Sequence, residues 1–183
     1  MESPEKGLLF KTGLVSFWTF LSRIFGLIRD VVTTSLLGSS LAHDVFVVML
    51  KIPNVFRRLV AEGAFNQAFV PVLTEYKNLN SFDETHEVIN KSFTFIFLAS
   101  GILVGLVFIF TPMFVFIFAP GFFYDESKLA LSQDILRITF PYLLFISLVA
   151  LSGSILNTFG KFSVPAATPI FFNLSIILCA IYL

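Results

Sequence analysis

"SFTFIFLASGILVGLVFIFTPMFVFIF", Ser92 to Phe118, contains no Asp, Glu, Lys or Arg. Crossing the hydrocarbon core of a bilayer takes about 20 mostly apolar residues, so this run is long enough to span one. Two later stretches, Ile138 to Thr158 and Phe162 to Leu183, are also free of charge. The whole chain agrees with them: of 183 residues 56% are hydrophobic, 25 are Phe and only 13% are charged, with a mean hydropathy of +0.89. A soluble domain has far more charged surface, so the sequence describes an integral membrane protein.

The same numbers exclude several functions. Formal net charge is zero and long basic or acidic runs are missing, which leaves no nucleic-acid surface and no solvated tail. The single cysteine, Cys179, lies in an apolar run and cannot make an internal disulfide or a metal site. The start, "MESPEKGLLFKTGLVSFWTFLSRIFG", lacks a compact apolar core followed by small residues, so its first hydrophobic segment is expected to stay as a helix.

Two earlier segments span only if internal charge is allowed. The expected architecture is all-α: a polytopic bundle of about five transmembrane helices, near residues 7–37, 42–76, 88–118, 128–158 and 162–183. Gly38 to Ser40, the polar "EYKNLNSFDETHE", "APG" at Ala119 to Gly121 and "FGKFSVP" at Phe159 to Pro165 mark the breaks. Pro53, Pro112 and Pro141 fall inside spans and should kink them, each freeing a carbonyl one turn back. Lys6 and Lys11, Lys77 and Lys91, and Lys161 mark one side, against Lys128 alone on the other, so the positive-inside rule places the N-terminus in the cytoplasm. The closing apolar run reaches Leu183 without a polar tail, which predicts that the chain continues.

The three charge-free spans are the control for the first two. Between Ser22 and Glu62 stand five cations, Arg23, Arg29, Lys51, Arg57 and Arg58, against three carboxylates, Asp30, Asp44 and Glu62. Each charge at mid-bilayer costs about 2.5 to 3.5 kcal/mol on insertion scales, so such groups persist where they face a cavity. Positions seven apart nearly superpose on a helix: Ser22 with Arg29, and Arg23 with Asp30, form adjacent stripes. Asp44, Lys51 and Arg58 form another, and Arg58 has Glu62 one turn on. Arg23, Arg29 and Arg57 are left as forks without a carboxylate of their own, well matched to a phosphate or diphosphate.

Plainer readings exist. Arg29 with Asp30 and Arg58 with Glu62 would serve equally as structural ion pairs or interface residues that snorkel. His43 beside Asp44 is a solitary titratable group near a loop, and Gly101 with Gly105 fits a helix contact. Asn90-Lys-Ser92 and Asn173-Leu-Ser175 match a glycosylation pattern by chance, one expected in the cytoplasm and one in the membrane. No nucleophile and base, phosphate-cradling glycine loop or metal cluster is visible, so neither an enzyme nor a cofactor is expected.

"SRIFGLIRD" at Ser22 to Asp30 with "PNVFRRLVAEGAFNQAFVP" at Pro53 to Pro71 closely resembles the start of the bacterial MurJ (MviN) lipid II flippase family, in the multidrug/oligosaccharidyl-lipid/polysaccharide exporter superfamily. "APGF" at Ala119, "LRITFPYLLFISL" at Leu136 and "LNTFGKFSVPA" at Leu156 fit the same pattern. The resemblance implies most of one transporter lobe, with the second lobe outside this chain. It implies transport of undecaprenyl-diphosphate-linked muropeptide (lipid II) from the inner to the outer leaflet of the bacterial cytoplasmic membrane, by alternating access. Membrane potential or a coupling ion would assist, and cell-wall synthesis proteins would be partners. Arg23, Arg29 and Arg57, with Ser22, would bind the diphosphate; Asp44 would belong to a gate, and Asp30, Arg58 and Glu62 would be gate or structural charges. The alternatives are export of another polyprenyl-diphosphate-linked sugar, or a non-transporting scaffold for cell-wall synthesis.

Overall fold

Prolines, glycines and short polar caps decide where the apolar runs of this chain become separate helices. The computed structural model describes residues 4–38, 40–59, 64–79 and 81–182, which are almost wholly helical, with no strand among the described residues. The elements are α1 (Pro4–Leu37), α2 (Leu41–Arg57), α3 (Ala64–Leu79), α4 (Phe82–Ile109), α5 (Thr111–Phe118), α6 (Pro120–Phe123), α7 (Glu126–Thr139), α8 (Tyr142–Thr158) and α9 (Ser163–Tyr182).

The starts are capped by short polar side chains. Ser40 Oγ accepts from the His43 N–H at 3.2 Å to begin α2, and Asp125 Oδ1 accepts from the Lys128 N–H at 3.1 Å to begin α7. At α4 the cap is reciprocal: Ser81 Oγ accepts from the Glu84 N–H at 3.3 Å, and Glu84 Oε2 accepts from the Ser81 N–H at 3.2 Å. Ser81→Ala should cost about 1 kcal/mol locally, seen as faster amide exchange confined to the first turn of α4. The end of α8 is a left-handed glycine stop, with Gly160 at φ +74° and the Lys161 N–H reaching back to the Leu156 carbonyl at 2.8 Å.

One of the proline-bearing spans is broken instead of kinked. The run over 88–118 stops at Phe110 (φ −107°) and restarts as α5. Pro112 has no N–H for the Phe108 carbonyl, and its ring would collide with that oxygen in a continuous helix. The Thr111 hydroxyl replaces the missing donor, reaching the Val107 carbonyl at 2.7 Å and the Phe108 carbonyl at 3.1 Å. The run over 128–158 is interrupted only at Phe140 and Pro141, between α7 and α8, where Phe140 keeps right-handed helical angles (φ −65°, ψ −33°), as a proline kink does. Pro53, by contrast, stays inside α2. The span expected over 42–76 is described as α2 and α3; residues 60–63, Glu62 among them, lie outside the described residues.

Among the described residues three stretches are long and apolar enough to cross a membrane: Phe82–Ile109, Glu126–Thr158 and Ser163–Tyr182. The chain is a membrane protein, and it leaves many large apolar side chains exposed, Phe20, Leu27, Phe95 and Phe171 among them. Helix α1 has the length, at 34 residues, but carries Arg23, Arg29 and Asp30 in its second half.

The chain forms two compact units, residues 1–39 with 156–183, and residues 40–155. In the first, α1 lies along α9. In the second, Val45, Met49 and Ile52 of α2 bury against Val107, Val115, Leu136, Phe140 and Leu143. Phe56 joins this core, its ring 5.7 Å from Phe140 and 5.9 Å from Phe118. A separate cluster in the same unit sets Phe69 and Leu73 of α3 against Ile96 of α4 and Leu151 of α8. Lipid is as apolar as these side chains, so shape and close contact hold such helices together.

Candidate functional site

Helical phase puts Ser22, Gly26 and Arg29 on one side of α1, and that side meets the amide of Asn173 on α9. Asn173 is buried, at 6% exposure, in the middle of an otherwise apolar helix. Its Nδ2 donates to the Ser22 carbonyl at 3.3 Å and its Oδ1 accepts from Arg29 Nη1 at 2.9 Å. Gly26 makes room: a Cβ there would stand 3.7 Å from Asn173 Nδ2, ordinary contact, while a longer side chain would push the amide away. One side chain thus ties the backbone of α1 to the guanidinium one turn and more along it.

Arg29 is not the fork without a carboxylate that its spacing predicts. Its Nη2 and Nε donate to Asp30 Oδ1 at 2.8 and 3.1 Å. Neighbours on a helix point about 100° apart, but an arginine side chain is long enough to fold around the helix to the next residue. The pair is lopsided in exposure: the Arg29 side chain is 30% exposed and that of Asp30 65%. Arg29 has more donors than these contacts use, so it can take a further anion. The second stripe stays open, with Arg23 exposed.

The remaining predicted residues belong to the other unit. Asp44 is exposed in the first turn of α2 and Arg57 half-buried in the last, the ends at which the helix dipole favours each sign. Arg58 is exposed, and its backbone N–H bonds to the Asn54 and Val55 carbonyls as α2 ends. Asn54, polar and mid-helix, turns to its own backbone, with Nδ2 on the Leu50 carbonyl at 2.9 Å. The expected Arg58–Glu62 pair lies outside the described residues.

Sequence reasoning passed over Asn173, reading it only as part of a chance glycosylation match. The signal was present: an amide between Phe172 and Leu174, inside a span with no other strongly polar side chain, needs a partner in lipid.

The family model "Lipid II flippase MurJ" matches residues 33–183 of this chain. A probable lipid II flippase MurJ of Vibrio cholerae is 47% identical over 96% of this chain and 35% of its own length. That of Haemophilus influenzae is 44% identical over 90% of the chain and 34% of its own. The lipid II flippase MurJ of Burkholderia cenocepacia is 39% identical over 92% and 33%. The chain therefore spans about a third of the length of these relatives.

Proposed function

The chain belongs to the lipid II flippase MurJ family, and from that premise we propose that it supplies part of one lobe of a transporter for a polyprenyl-diphosphate-linked cell-wall precursor. The observation that carries this reading is Arg29: a guanidinium on the long helix α1, oriented by a buried amide of the apolar helix α9 and balanced by an exposed carboxylate. Lipid II is the substrate that best fits, because its diphosphate presents several anionic oxygens to planar donors. The membrane is the bacterial cytoplasmic one.

The geometry supplies a binding step. An arriving diphosphate competes with Asp30 for Nη2 and Nε, and its higher charge favours the exchange. Asp30, mostly exposed, then turns to water, while the Asn173 bond keeps Nη1 and the plane of the fork in place. Arg23, on the adjoining stripe, adds a second cation, and Ser22 a hydroxyl. In the other unit Arg57 offers a cation suited to a diphosphate, and Asp44, Arg58 and Glu62 serve as gate or structural charges. Alternating access, drawn on by membrane potential or a coupling ion, then carries the headgroup across.

Competition for labelled lipid II on the purified protein in nanodiscs tests this. Diphosphate-linked polyprenyl lipids should displace it, and a monophosphate-linked sugar of equal chain length should do so about tenfold less well, the loss expected with one charge-assisted contact. Equal displacement by an uncharged polyprenol would overturn the diphosphate reading.

A further inference from the structure

The ends of two transmembrane runs meet at a second arginine. The hydrocarbon core takes about 20 helical residues; counted from Lys91, the last charge of α4, that length ends near Thr111. Counted back from Thr158 along α8 and past Pro141 into the last turn of α7, it ends near Ile138, next to Arg137. Both counts reach the same membrane edge, the one opposite Lys91, and the structure joins them: Arg137 Nε donates to Thr111 Oγ1 at 3.3 Å.

Thr111 is fully buried, and its hydroxyl hydrogen is committed to the carbonyls that the Pro112 break frees. Its lone pair is therefore aimed, and it fixes the plane of the guanidinium. Among the described residues Arg137 makes no ion pair, and Asp134, exposed one turn earlier on α7, does not reach it. The last turn of α7 favours a cation through the helix dipole, but that does not use Nη1 and Nη2. On either side of the contact stand apolar residues without cover, Phe110 at 49% and Ile138 at 79% exposure.

We propose that the Arg137 fork, held by Thr111 at the membrane edge, binds the phosphodiester of an anionic bilayer phospholipid, with its acyl chains along Phe110 and Ile138. The depth selects a lipid phosphate, since that is where headgroup phosphates lie. Two free nitrogens in one plane suit two phosphate oxygens. An anionic headgroup is favoured because a headgroup ammonium would face the guanidinium. This site lies wholly in residues 40–155, apart from the Arg29 cluster.

The test is native mass spectrometry of the detergent-purified protein titrated with phosphatidylglycerol and with diacylglycerol of the same chains. Wild type should retain phosphatidylglycerol about tenfold more tightly. Arg137→Gln should bring it to the diacylglycerol level, and Arg137→Lys should keep part of the preference, which separates lost charge from lost folding. An unchanged preference in Arg137→Gln overturns the site. Displacement of the lipid by millimolar inorganic phosphate would show a free-anion site and overturn the lipid assignment.

Discussion

Arg29→Ala is expected to abolish growth rescue of a bacterium depleted of its own lipid II flippase, while Arg29→Lys restores it in part. The comparison uses the full reading frame, with membrane levels matched by immunoblot. Alanine removes the donors to Asn173 and Asp30 together, and leaves Asp30 as a carboxylate without its partner beside the apolar helix α9. Two costs follow: loss of the anion-binding fork, and the burden of an isolated charge in the membrane. Lysine returns the charge without the planar fork, so it keeps the ion pair and loses bidentate contact. Full rescue by alanine would make Arg29 a structural residue and remove the support for the cationic site. Arg29→Ala with Asp30→Asn separates the two costs: a protein that regains its membrane level but still fails to rescue has lost binding alone.

Asn173→Leu has the second large effect. Leucine keeps the branched shape and the number of heavy atoms but removes both bonds, leaving Arg29 Nη1 without this acceptor beside an apolar wall. Interhelical hydrogen bonds in membranes are worth about 0.6 kcal/mol on average and rarely more than about 1.7, so the fall in thermal stability should be modest. The fall in rescue should be several-fold or greater, because the guanidinium loses its orientation even though its charge remains. Coupling is the decisive readout: in the Arg29→Ala background the same substitution should cost clearly less, by at least about 0.5 kcal/mol. Strict additivity would mean that Asn173 only packs α9 against α1. Asn173→Asp makes the opposite change, keeping an acceptor for Nη1 but adding a negative charge. It should strengthen the bond to Nη1, lose the one to the Ser22 carbonyl, and weaken the binding of diphosphate lipids.

The helical phase of "SRIFGLIRD" contains half of this site. Stripes seven residues apart follow from backbone geometry alone, which is why Ser22 and Arg29 could be placed on one side of α1 before any partner was known. Their partner could not be, because nothing local links Asn173 to a residue 144 positions away. The Arg29–Asp30 pair was legible only as one of two readings: adjacent residues diverge on a helical wheel, and the three-dimensional path of a long side chain is what brings the groups together.

Proline shows the same division. Pro53, Pro112 and Pro141 look alike in sequence, each within an apolar run. The structure keeps the first inside α2, ends a helix at Phe110 before the second, and holds Phe140 before the third in right-handed helical angles. At Phe110 the break is stabilised because the Thr111 hydroxyl can serve the freed carbonyls.

By itself the sequence determined that this is an all-α membrane protein and a member of its family. Hydrocarbon demands long charge-free helices, and a charged motif inside one is costly enough to be specific. Tertiary structure alone decided what each charge touches, that Asn173 orients Arg29 and that Thr111 aims Arg137. A helix fixes the direction of its own side chains, and only packing against other helices fixes what they meet.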